Sequence, residues 1–546
     1  MRHQRPTTGS RATSATLLVC SWLLCLQSSA GLAGLKPPHP QPGEVIFNRP
    51  EVSRLSLQIA TTDLAALRKD PRKNVSAVLR EGTNSFFGVE VHLKGSSSFR
   101  PIDEKPGLTL TFPEGGLFHG LHKLHLNNSV EDPSYLNEQL GHDLFQAAGL
   151  PAPRVAYAEV KINERRLGLY VLKEGFNQDL LAGYLEDASG NIYESDLGHD
   201  VDQPMKRNSG NGPKQLQADR KALAKVALDP EVASRWQAFA PVLDREEFLK
   251  FMILEVMVCH RDGYCLARNN YRLGQDAATG RMFFLPHGMD QLFGKSDFTW
   301  KPFMAGVVAA SVMETSEGKQ RYEAEFPQLF QQVFRVGKLQ ARVDELLAQL
   351  RPVLPAAEFA AVEQEATLVK ERVARRYASL EKQLHQPPLP APDFTRNSTA
   401  PLTGWLATDA PGHGEMDEGK SPEGLPALHI STHSPSSASW RTRVILPRGR
   451  YEFQGRIKTS ELEPLPFGKH QGAGLRISGT PGAAFASSTP SSWRLLITRF
   501  EVEADHTEKE FICELRAQAG EAWFDLASLS LRKLVDTDLS AGITPH

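Results

Sequence analysis

FMILEVMVCHRDGYCLARNNYRLGQDAATGRMFFLPHGMDQLFG, residues 251–294, contains an apolar run, a polar loop and a second apolar run. The first run is too long for most strands, so it predicts a buried helix. The loop that follows carries Asp262 and the pair Asn269-Asn270, and a turn then leads into the apolar strand 282–285. Asp290 comes shortly after that strand. A helix, an Asp-bearing loop, a hairpin and a second Asp form a layout that can hold a metal ion and a phosphate.

Phosphoryl transfer needs an Asp near the acceptor hydroxyl, and an Asn and an Asp that hold magnesium against the phosphates. We predict that Asp262 is the catalytic residue and that Asn270 and Asp290 are the metal ligands. Each of them alone is explained equally well as a helix cap or a hairpin corner, but the ordered set of three favours function. The triplet His260-Arg261-Asp262 is at most a distant analogue of the protein-kinase His-Arg-Asp, because the spacing to Asn270 is longer than in the kinase catalytic loop.

The N-terminus predicts export. Residues 1–33 combine early arginines, an apolar run and small residues before a cleavage point, which is typical of a secretory signal peptide. Residues 34–50 form a Pro-rich leader. No later stretch is apolar enough to span a bilayer. The expected location is therefore periplasmic, cell-surface or extracellular.

Composition limits the function classes. The 546 residues are enough for two or three domains. A formal net charge of -2 predicts no strongly basic face and hence no nucleic-acid partner. The cysteines outside the signal peptide are Cys259, Cys265 and Cys513, an odd number that argues against a disulfide framework. Cys259 and Cys265 either pair with each other or remain buried thiols.

Two features of the strand-rich region from residue 51 predict contacts to phosphate. A turn of small residues, 95–100, ends one strand, and Lys105 precedes the strand 108–112. Such a turn brings backbone N–H groups close to a phosphate, and a lysine supplies a point charge. Ser97 and Lys105 are therefore candidates for nucleotide binding, and an ordinary hairpin turn is the alternative for Ser97.

A helix and a hairpin follow this region. The predicted helix begins after Asp132 and carries Glu138. We expect its carboxylate to pair with Lys105 as a kinase helix glutamate pairs with its strand lysine, and a solvated helix charge is the alternative. The hairpin 156–172 ends at Glu174, where a connection between two lobes would fall. Glu174 is therefore a candidate either for contact with the edge of the nucleotide or for a hinge. The histidines nearby do not all lie on one strand face, so we interpret them as structural or surface residues, with a zinc site as the minor alternative: His119, His122 and His125.

Two segments resemble the spore coat protein H (CotH) kinase-like family. Asp262, Asn270-Tyr271 and the element Pro286-His287-Gly288-Met289-Asp290 are similar to the family's Asp, Asn-Tyr and Pro-Trp-Asp-x-Asp. The stretch VKINERRLGLYVLKEGFNQDLL, residues 160–181, is similar to its Asn-Gly-x-x-x-Gly-x-Tyr-x-x-x-Glu pattern. Gly288 stands where the family has the first Asp of its pair. This departure puts one metal ligand, and with it catalytic activity, in question.

The resemblance covers residues 51–386 and is to a secreted bacterial member of the family. It implies an α+β fold with a two-lobed, atypical protein-kinase-like domain. It also implies transfer of phosphate from ATP, with magnesium, to Ser or Thr of a protein. On this basis the nucleotide would contact Lys105, Glu138, Glu174 and Ser97.

The C-terminal part predicts a different kind of domain. A Pro-rich linker, 387–400, leads to short strands at regular spacing in 401–534, and a tail, 535–546, follows. The pattern is typical of an antiparallel β-sandwich. GRYEFQGRIKT and GEAWFDLASLSLRKL resemble core strands of jelly-roll carbohydrate-binding modules. Four tryptophans are candidates for stacking on sugars, although core packing is the better interpretation of Trp523: Trp405, Trp440, Trp493 and Trp523.

Two functions follow from these observations. The first is an exported CotH-like atypical kinase that acts on Ser or Thr of a protein substrate. The alternative is a catalytically weak or inactive kinase-like surface or matrix protein, which binds polysaccharide or protein through its β-sandwich.

Overall fold

The computed structural model describes residues 41–196, 198–210, 217–386, 389, 391–394, 398–466, 471–478, 480, 483–486, 492–502 and 507–534. The predicted signal peptide, the leader up to residue 40 and the C-terminal tail lie outside the described residues. Part of the predicted linker 387–400 also lies outside them.

The first part of the chain is a closed seven-stranded barrel with the strand order β1-β2-β3-β4-β5-β7-β6. Leu55, Leu57 and Ile59 alternate with polar residues along β1, and this period of two places the apolar side chains in the barrel core. Only β1 and β6 pair in parallel within the barrel. The strands are β1 (Ser53–Ile59), β2 (Val75–Glu81), β3 (Asn84–Lys94), β4 (Gly107–Thr111), β5 (Lys123–Asn127), β6 (Val155–Ile162) and β7 (Arg165–Glu174).

Three helices accompany the barrel. The helices α1 (Glu44–Phe47) and α2 (Thr61–Lys69) belong to its first third. The third, α3 (Asn137–Ala147), contains Glu138 and confirms the predicted helix after Asp132. Asp132 accepts a hydrogen bond from the backbone N of Asn137 at 2.8 Å, which fixes the start of α3.

A mainly helical region follows the barrel. The apolar run in residues 251–258 forms the predicted buried helix, in which the Asp244 side chain caps the first turn. A four-stranded sheet of order β11-β10-β8-β9 packs beside these helices. The elements are α4 (Gln178–Ala182), β8 (Ile192–Glu194), β9 (Lys206–Ser209), α5 (Ala218–Ala227), α6 (Val232–Ala238), α7 (Arg245–Met257), α8 (Tyr264–Ala267), β10 (Tyr271–Gln275), β11 (Met282–Pro286), α9 (Val307–Glu314), α10 (Ser316–Val333), α11 (Val336–Leu350) and α12 (Ala356–Leu384).

The C-terminal part is built from antiparallel strands that form one connected sheet in the described residues. The long strand β21 pairs with four others and lies at the centre of this sheet. Three of the four tryptophans are at most 7% exposed: Trp405, Trp440 and Trp523. The strands are β12 (Thr399–Pro401), β13 (Leu406–Thr408), β14 (Met416–Lys420), β15 (Pro426–Thr432), β16 (Ser436–Leu446), β17 (Gly449–Pro464), β18 (Gly472–Ile477), β19 (Ala483–Ala486), β20 (Arg494–Val502), β21 (Thr507–Asp525) and β22 (Ser530–Leu534).

The mixture of helices and strands confirms the α+β class. The closed barrel was not anticipated, because the sequence pattern indicates strands but not that β1 and β6 pair to close the sheet. The arrangement in two lobes and the jelly-roll sandwich stay predictions.

A fully buried arginine, Arg376 of α12, ties the C-terminus of α7 to the segment that follows Asp290. Its guanidinium donates to the carbonyls of Val256 and Met257 at 2.7 and 3.0 Å. It also donates to the carbonyls of Ser296 and Phe298. Burial lowers the pKa of Arg376 to about 10, so the side chain stays charged at neutral pH. The last carbonyls of a helix have no partner within it, and here the arginine supplies one.

Replacement of this arginine tests its structural role. We expect Arg376→Met to destabilise the fold by about 3 kcal/mol, because the carbonyls of Met257 and Ser296 lose the donor that Arg376 supplies and those of Val256 and Phe298 lose one of two donors. Thermal unfolding followed by circular dichroism should show a melting temperature lower by roughly 6 °C or more. The matched control is Arg375→Met, which removes an exposed arginine paired only with Glu371 on the same helix and should change stability by less than about 0.5 kcal/mol. Equal effects of the two changes would contradict the assignment.

Candidate functional site

The outer face of the barrel carries a row of polar side chains that crosses four strands. His92 of β3 lies opposite Thr109 of β4, Thr109 lies opposite His125 of β5, and His125 lies opposite Lys173 of β7. Because apolar neighbours along these strands fill the barrel core, the row faces outward. This outward face is the surface on which the site is built.

Lys173 and Glu138 form the central ion pair. The Lys173 Nζ donates to the Glu138 Oε2 at 2.7 Å, and the two side chains are 0% and 3% exposed. The amide of Asn127 also donates to Glu138, at 3.4 Å. A buried ion pair is tolerated only when both charges are compensated, and α3 is placed so that Glu138 does this for Lys173.

The predicted pairing of Glu138 with Lys105 is therefore wrong. The Lys105 Nζ donates to the hydroxyl of Tyr135 at 2.7 Å and lies over the rings of Tyr135 and Tyr170. Burial lowers the pKa of Lys105 to about 8. Lys105 precedes β4 in a loop, whereas Lys173 is a strand residue on the face next to α3, and only the latter position reaches Glu138.

Two further cations lie close to this pair. The Lys94 Nζ donates to the Asn127 Oδ1 at 2.5 Å. Burial, reinforced by Lys173, lowers the pKa of Lys94 to about 8. Arg272 of β10 is 9% exposed and donates to Glu194 at 2.5 Å, but its Nε has no hydrogen-bond partner. The site thus contains more positive groups than the sequence indicated.

Three rings pack together beside these cations. The centroid of Phe176 is 6.5 Å from that of His125 and 5.1 Å from that of His287. Burial, with the nearby cations, lowers the pKa of both histidines well below the usual value. Both imidazoles are therefore neutral at physiological pH and add no charge to the site.

Asp290 lies near the Lys173–Glu138 pair. Burial, with the negative charge of Glu138, raises the pKa of Asp290 to about 7. The Asn137 amide donates to the backbone carbonyl of Asp290 at 2.8 Å. The Asn137 Oδ1 is buried and has no hydrogen-bond partner. A cation at this point would have an oxygen ligand available from Asn137 in addition to the carboxylate.

Asp262 and Asn270, predicted as the catalytic residue and a metal ligand, are in direct contact. The Asp262 Oδ2 accepts from the side-chain amides of Asn269 and Asn270 at 3.0 and 2.8 Å. The Asp262 side chain is exposed and within reach of a macromolecular hydroxyl. The backbone N of His287 donates to the carbonyl of Asn270 at 3.0 Å, which ties Asn270 to the turn that leads to Asp290.

The His260 side chain contacts the turn that contains Gly288. Its Nε2 lies 3.1 Å from the Gly288 carbonyl, and its Nδ1 lies 3.4 Å from the Glu255 Oε1. Burial lowers the pKa of His260, but the adjacent Glu255 carboxylate outweighs this effect, so that the pKa is raised. His260 therefore connects the α7 helix to the Gly288 turn.

Two predicted nucleotide contacts lie at the edge of the site or are already engaged. Ser97 is exposed in its turn, and Asn128 ties that turn to the Lys105 loop through the carbonyls of Ser98 and Lys105, both at 2.9 Å. The Glu174 carboxylate is 1% exposed and accepts hydrogen bonds from the side chain and the backbone N of Arg154. Both carboxylate oxygens of Glu174 are hydrogen-bonded to Arg154, so they do not face an open site for a nucleotide.

The remaining polar candidates do not form a metal cluster. His119 contacts Glu81 and His122 contacts Asp179, whereas His125 belongs to the row on the barrel face. No group of three or more His, Cys, Asp or Glu side chains arranged to hold a metal occurs in the part of the chain that the structure describes. The three cysteines outside the predicted signal peptide are free and buried: Cys259, Cys265 and Cys513.

The donor set near Asp290 fits one kind of metal ion. Magnesium keeps several waters and is usually held by one or two carboxylates together with substrate phosphates. Asp290 and the orphaned Asn137 Oδ1 are the oxygen donors at this point, whereas the Asn270 amide is hydrogen-bonded to Asp262. The residues do not form an all-protein cage, so the ion would depend on the phosphates for its other ligands.

The sequence profile described as CotH kinase protein matches residues 91–383. The chain belongs to this family. The matched residues include the Lys173–Glu138 pair, Lys94, Asp262, Asn270 and Asp290. We refer below to this segment as the CotH domain.

Several known proteins are similar to the chain. Inner spore coat protein H of Bacillus subtilis is 22% identical over 331 residues, which cover 56% of this chain and 88% of that protein. Invasin CotH2 of Rhizopus delemar is 23% identical over 296 residues, which cover 47% of this chain and 50% of the invasin. Invasin CotH7 of the same fungus is 22% identical over 265 residues, or 44% of each chain.

Solved structures with partial similarity fall into two groups. TmCBM61 in complex with β-1,4-galactotriose has a TM-score of 0.19 and 12% identity, covering 26% of this chain and 94% of that chain. The HipA toxin of Shewanella oneidensis, in its complex with HipB and operator DNA, has a TM-score of 0.26 and 12% identity, covering 61% and 74%. These scores do not establish a shared fold.

Among the described residues, no helix combines the length and apolarity needed to cross a membrane.

Sequence reasoning missed three cations of the CotH domain. Lys173 follows the apolar stretch Val171-Leu172 within a strand, and Arg272 lies in the buried strand β10. A charged residue inside an otherwise apolar strand needs a partner or a function, so this signal was present. Lys94 gave a weaker signal, because the end of a strand is a common place for an exposed lysine.

Gly288 adopts a backbone conformation that restricts substitution. Its φ is +56°, in the left-handed region, and a Cβ added to it would lie 2.6 Å from the Cγ and Oδ1 atoms of Asn270. An aspartate at this position would therefore have to displace Asn270, one of the predicted metal ligands. The local structure of the turn is adapted to glycine.

Alanine replacements at Gly280 and Gly288 separate the cost of the left-handed backbone conformation from the cost of the clash with Asn270. Gly280 has a φ of +74° and open space around its Cβ position, so Gly280→Ala should destabilise the CotH domain by only about 1 kcal/mol. Gly288→Ala adds a clash with Asn270 and should destabilise it by about 1 kcal/mol more. Chemical denaturation of the two variants would measure the difference. A smaller effect at Gly288 than at Gly280 would show that the Asn270 contact is not restrictive.

Proposed function

We propose that the CotH domain is a kinase-like phosphotransferase that transfers phosphate from ATP to Ser or Thr hydroxyls of a protein. The observation that carries this proposal is the buried Lys173–Glu138 pair beside Asp290, with Lys94 and Arg272 close by. Buried ion pairs are weak sources of stability, whereas perturbed charged groups concentrate at functional sites. A triphosphate is the ligand that needs several desolvated cations in one place.

Each cation has a distinct role in this proposal. Lys173 supplies a point charge to the nucleotide phosphates, and Glu138 fixes its position. Lys94 is held by the Asn127 amide, which carries no charge, so its full positive charge remains available for a phosphate oxygen. The unsatisfied Arg272 Nε offers a further donor to the same ligand.

Asp262 is positioned to take the proton of the acceptor hydroxyl. Two amide donors fix its Oδ2, which leaves the Oδ1 for the incoming hydroxyl. The exposure of Asp262 suits a protein substrate, because a side chain of a folded partner can reach it. A positioned general base of this kind contributes about 10²- to 10⁴-fold in rate.

Asp290 and Asn270 would hold magnesium, and the orphaned Oδ1 of Asn137, whose amide donates to the Asp290 carbonyl, offers a further oxygen. When bound, the magnesium ion would neutralise negative charge on the phosphates. Because the pKa of Asp290 is raised to about 7, protons compete with a cation for this carboxylate near neutral pH. The rest of the chemistry is done by Lys173, Lys94 and Asp262.

We also propose that the protein is exported, on the basis of the predicted signal peptide at residues 1–33. A second function, binding of polysaccharide or protein by a kinase-like protein with weak or no activity, is favoured by one observation, the glycine at position 288. In this case the C-terminal β-rich domain would carry the binding. Trp493 is partly exposed, unlike the other three tryptophans, and is the aromatic residue to test in a sugar site.

The kinase proposal is tested with residues 34–546 by calorimetric titration of ATP, with and without magnesium, and by transfer of labelled phosphate to casein. We expect magnesium-dependent binding that Lys173→Met weakens by about tenfold or more. Asp262→Asn should retain ATP binding and lose transfer by about 10²-fold or more. Asp290→Ala should lose the magnesium dependence.

Lys105→Met is the matched control, because it removes another buried lysine that contacts Tyr135 rather than Glu138. It should leave ATP affinity within about twofold of wild type. Circular dichroism of each variant separates loss of binding from loss of fold. Absence of ATP binding by the wild-type protein, or greater sensitivity to Lys105→Met than to Lys173→Met, would overturn the proposal.

A further inference from the structure

The positive residues of the CotH domain extend beyond the Lys173–Glu138 pair. In the small sheet, Arg272 of β10 lies opposite Glu194 of β8, and Glu194 lies opposite Lys206 of β9. On the barrel, Lys123 is the first residue of β5, two residues before His125. The barrel face and the small sheet therefore both contribute basic side chains to one region.

The ring of Phe176 joins the two surfaces, because its centroid lies 5.8 Å from the Lys173 Nζ and 5.2 Å from the Arg272 guanidinium carbon. Burial lowers the pKa of Lys123, and the positive charges of Lys206 and Arg272 lower it further, against the opposite effect of Glu194. Burial also lowers the pKa of His92, with contributions from Lys123 and Lys206. We call the continuous set of cations the basic band: Lys173, Lys94, Arg272, Lys123 and Lys206.

Carboxylates compensate only part of this band. Glu138 pairs with Lys173, Glu194 pairs with Arg272, and Asp290 lies at one end. Asp179 also acts on Lys123, but its carboxylate is hydrogen-bonded to His122. Among the described residues, Lys94, Lys123 and Lys206 have no carboxylate oxygen within 4.0 Å of their ammonium groups. The band keeps an excess of positive charge.

A second observation points to an anionic ligand. Arg272 is nine-tenths buried, yet its Nε has no hydrogen-bond acceptor. A buried donor of a charged group that lacks an acceptor is energetically unfavourable. An oxyanion that lies along the band would satisfy this donor and neutralise the lysines on either side.

We propose that the basic band binds a linear polyphosphate, a chain of phosphoanhydride-linked phosphates that extends beyond the three of a nucleotide. This inference rests on the proposed phosphotransfer function and assigns a phosphate donor to the same site. The terminal phosphate lies at Lys173, and the chain continues past Arg272 towards Lys123 and Lys206. The rings of His125 and His287 both pack on Phe176 beside the band. Polyphosphate has no nucleobase, so it does not require a pocket between these rings.

The transfer step balances without a further reactant. The acceptor hydroxyl oxygen forms a bond to the terminal phosphorus, and the bond from that phosphorus to the bridging oxygen breaks. The hydroxyl proton passes to Asp262. The shortened polyphosphate leaves with the electron pair of the broken bond.

An acidic peptide fits the band less well than polyphosphate does. The cations nearest to Asp290 are buried, and a peptide backbone placed there would need partners for its own N–H and C=O groups. A phosphate chain carries acceptor oxygens only. The exposed acceptor end of the site is formed by Asp262 with Asn269 and Asn270.

The test compares four ligands at one ionic strength by calorimetry: ATP, tripolyphosphate, a longer sodium polyphosphate and poly-aspartate. The protein is residues 34–546, as wild type and as the double variant Lys123→Gln/Lys206→Gln. The matched control is Lys221→Gln/Lys382→Gln, which removes two exposed helical lysines. All three proteins are first compared by circular dichroism.

We expect the longer polyphosphate to bind at least about fivefold more tightly than tripolyphosphate, and the Lys123/Lys206 variant to lose this gain. The control variant should keep the gain, and ATP affinity should change little in either variant.

If ATP binds but chain length has no effect, the polyphosphate inference fails while the proposed function stands. If poly-aspartate binds as tightly and with the same sensitivity to the two lysines, the band is a surface for acidic peptides and the inference also fails. If polyphosphate binds and ATP does not, the inference holds and ATP is not the donor. If none of the ligands binds, both proposals fail.

Discussion

The buried ion pair between Lys173 and Glu138 is the interaction on which the site depends. A lysine that is 0% exposed can stay charged only if a carboxylate compensates it. The pair therefore requires β7 of the barrel and helix α3 to remain in contact. The placement of α3 in turn positions Asn137, which holds the carbonyl of Asp290. One ion pair thus links the outer face of the barrel, where we propose that phosphate binds, to the predicted metal ligands.

Backbone contacts position the other half of the site. Arg376 holds the end of α7 and the segment after Asp290 through carbonyls alone. His260 reaches the carbonyl of Gly288, and Asn270 receives the backbone N–H of His287. Because these contacts use backbone atoms, they preserve the arrangement of Asp262, Asn270 and Asp290 even though Gly288 supplies no carboxylate. The same turn geometry, with φ +56° at Gly288, leaves no room for one.

The sequence was informative where a function depends on local order. Asp262, Asn270 and Asp290 were predicted as an ordered set of three, and the structure adds a direct hydrogen bond from Asn270 to Asp262 that the sequence did not indicate. Helix α7 was predicted because its apolar run is too long for a strand. The partner of Glu138 was missed, since it is decided by which lysine faces α3 after the barrel closes through the parallel β1–β6 pair. Lys94 and Arg272 were missed for the same reason, because strands distant in the sequence bring them together.

A crystal structure with magnesium and a non-hydrolysable ATP analogue would test the central claim most directly. The account predicts that the phosphates contact Lys173 and Lys94, and that the terminal phosphate faces Asp262. A nucleotide whose phosphates instead lie at the turn 95–100 beside Lys105 would contradict it. The same holds if the analogue is absent from the site under conditions in which the protein binds ATP in solution.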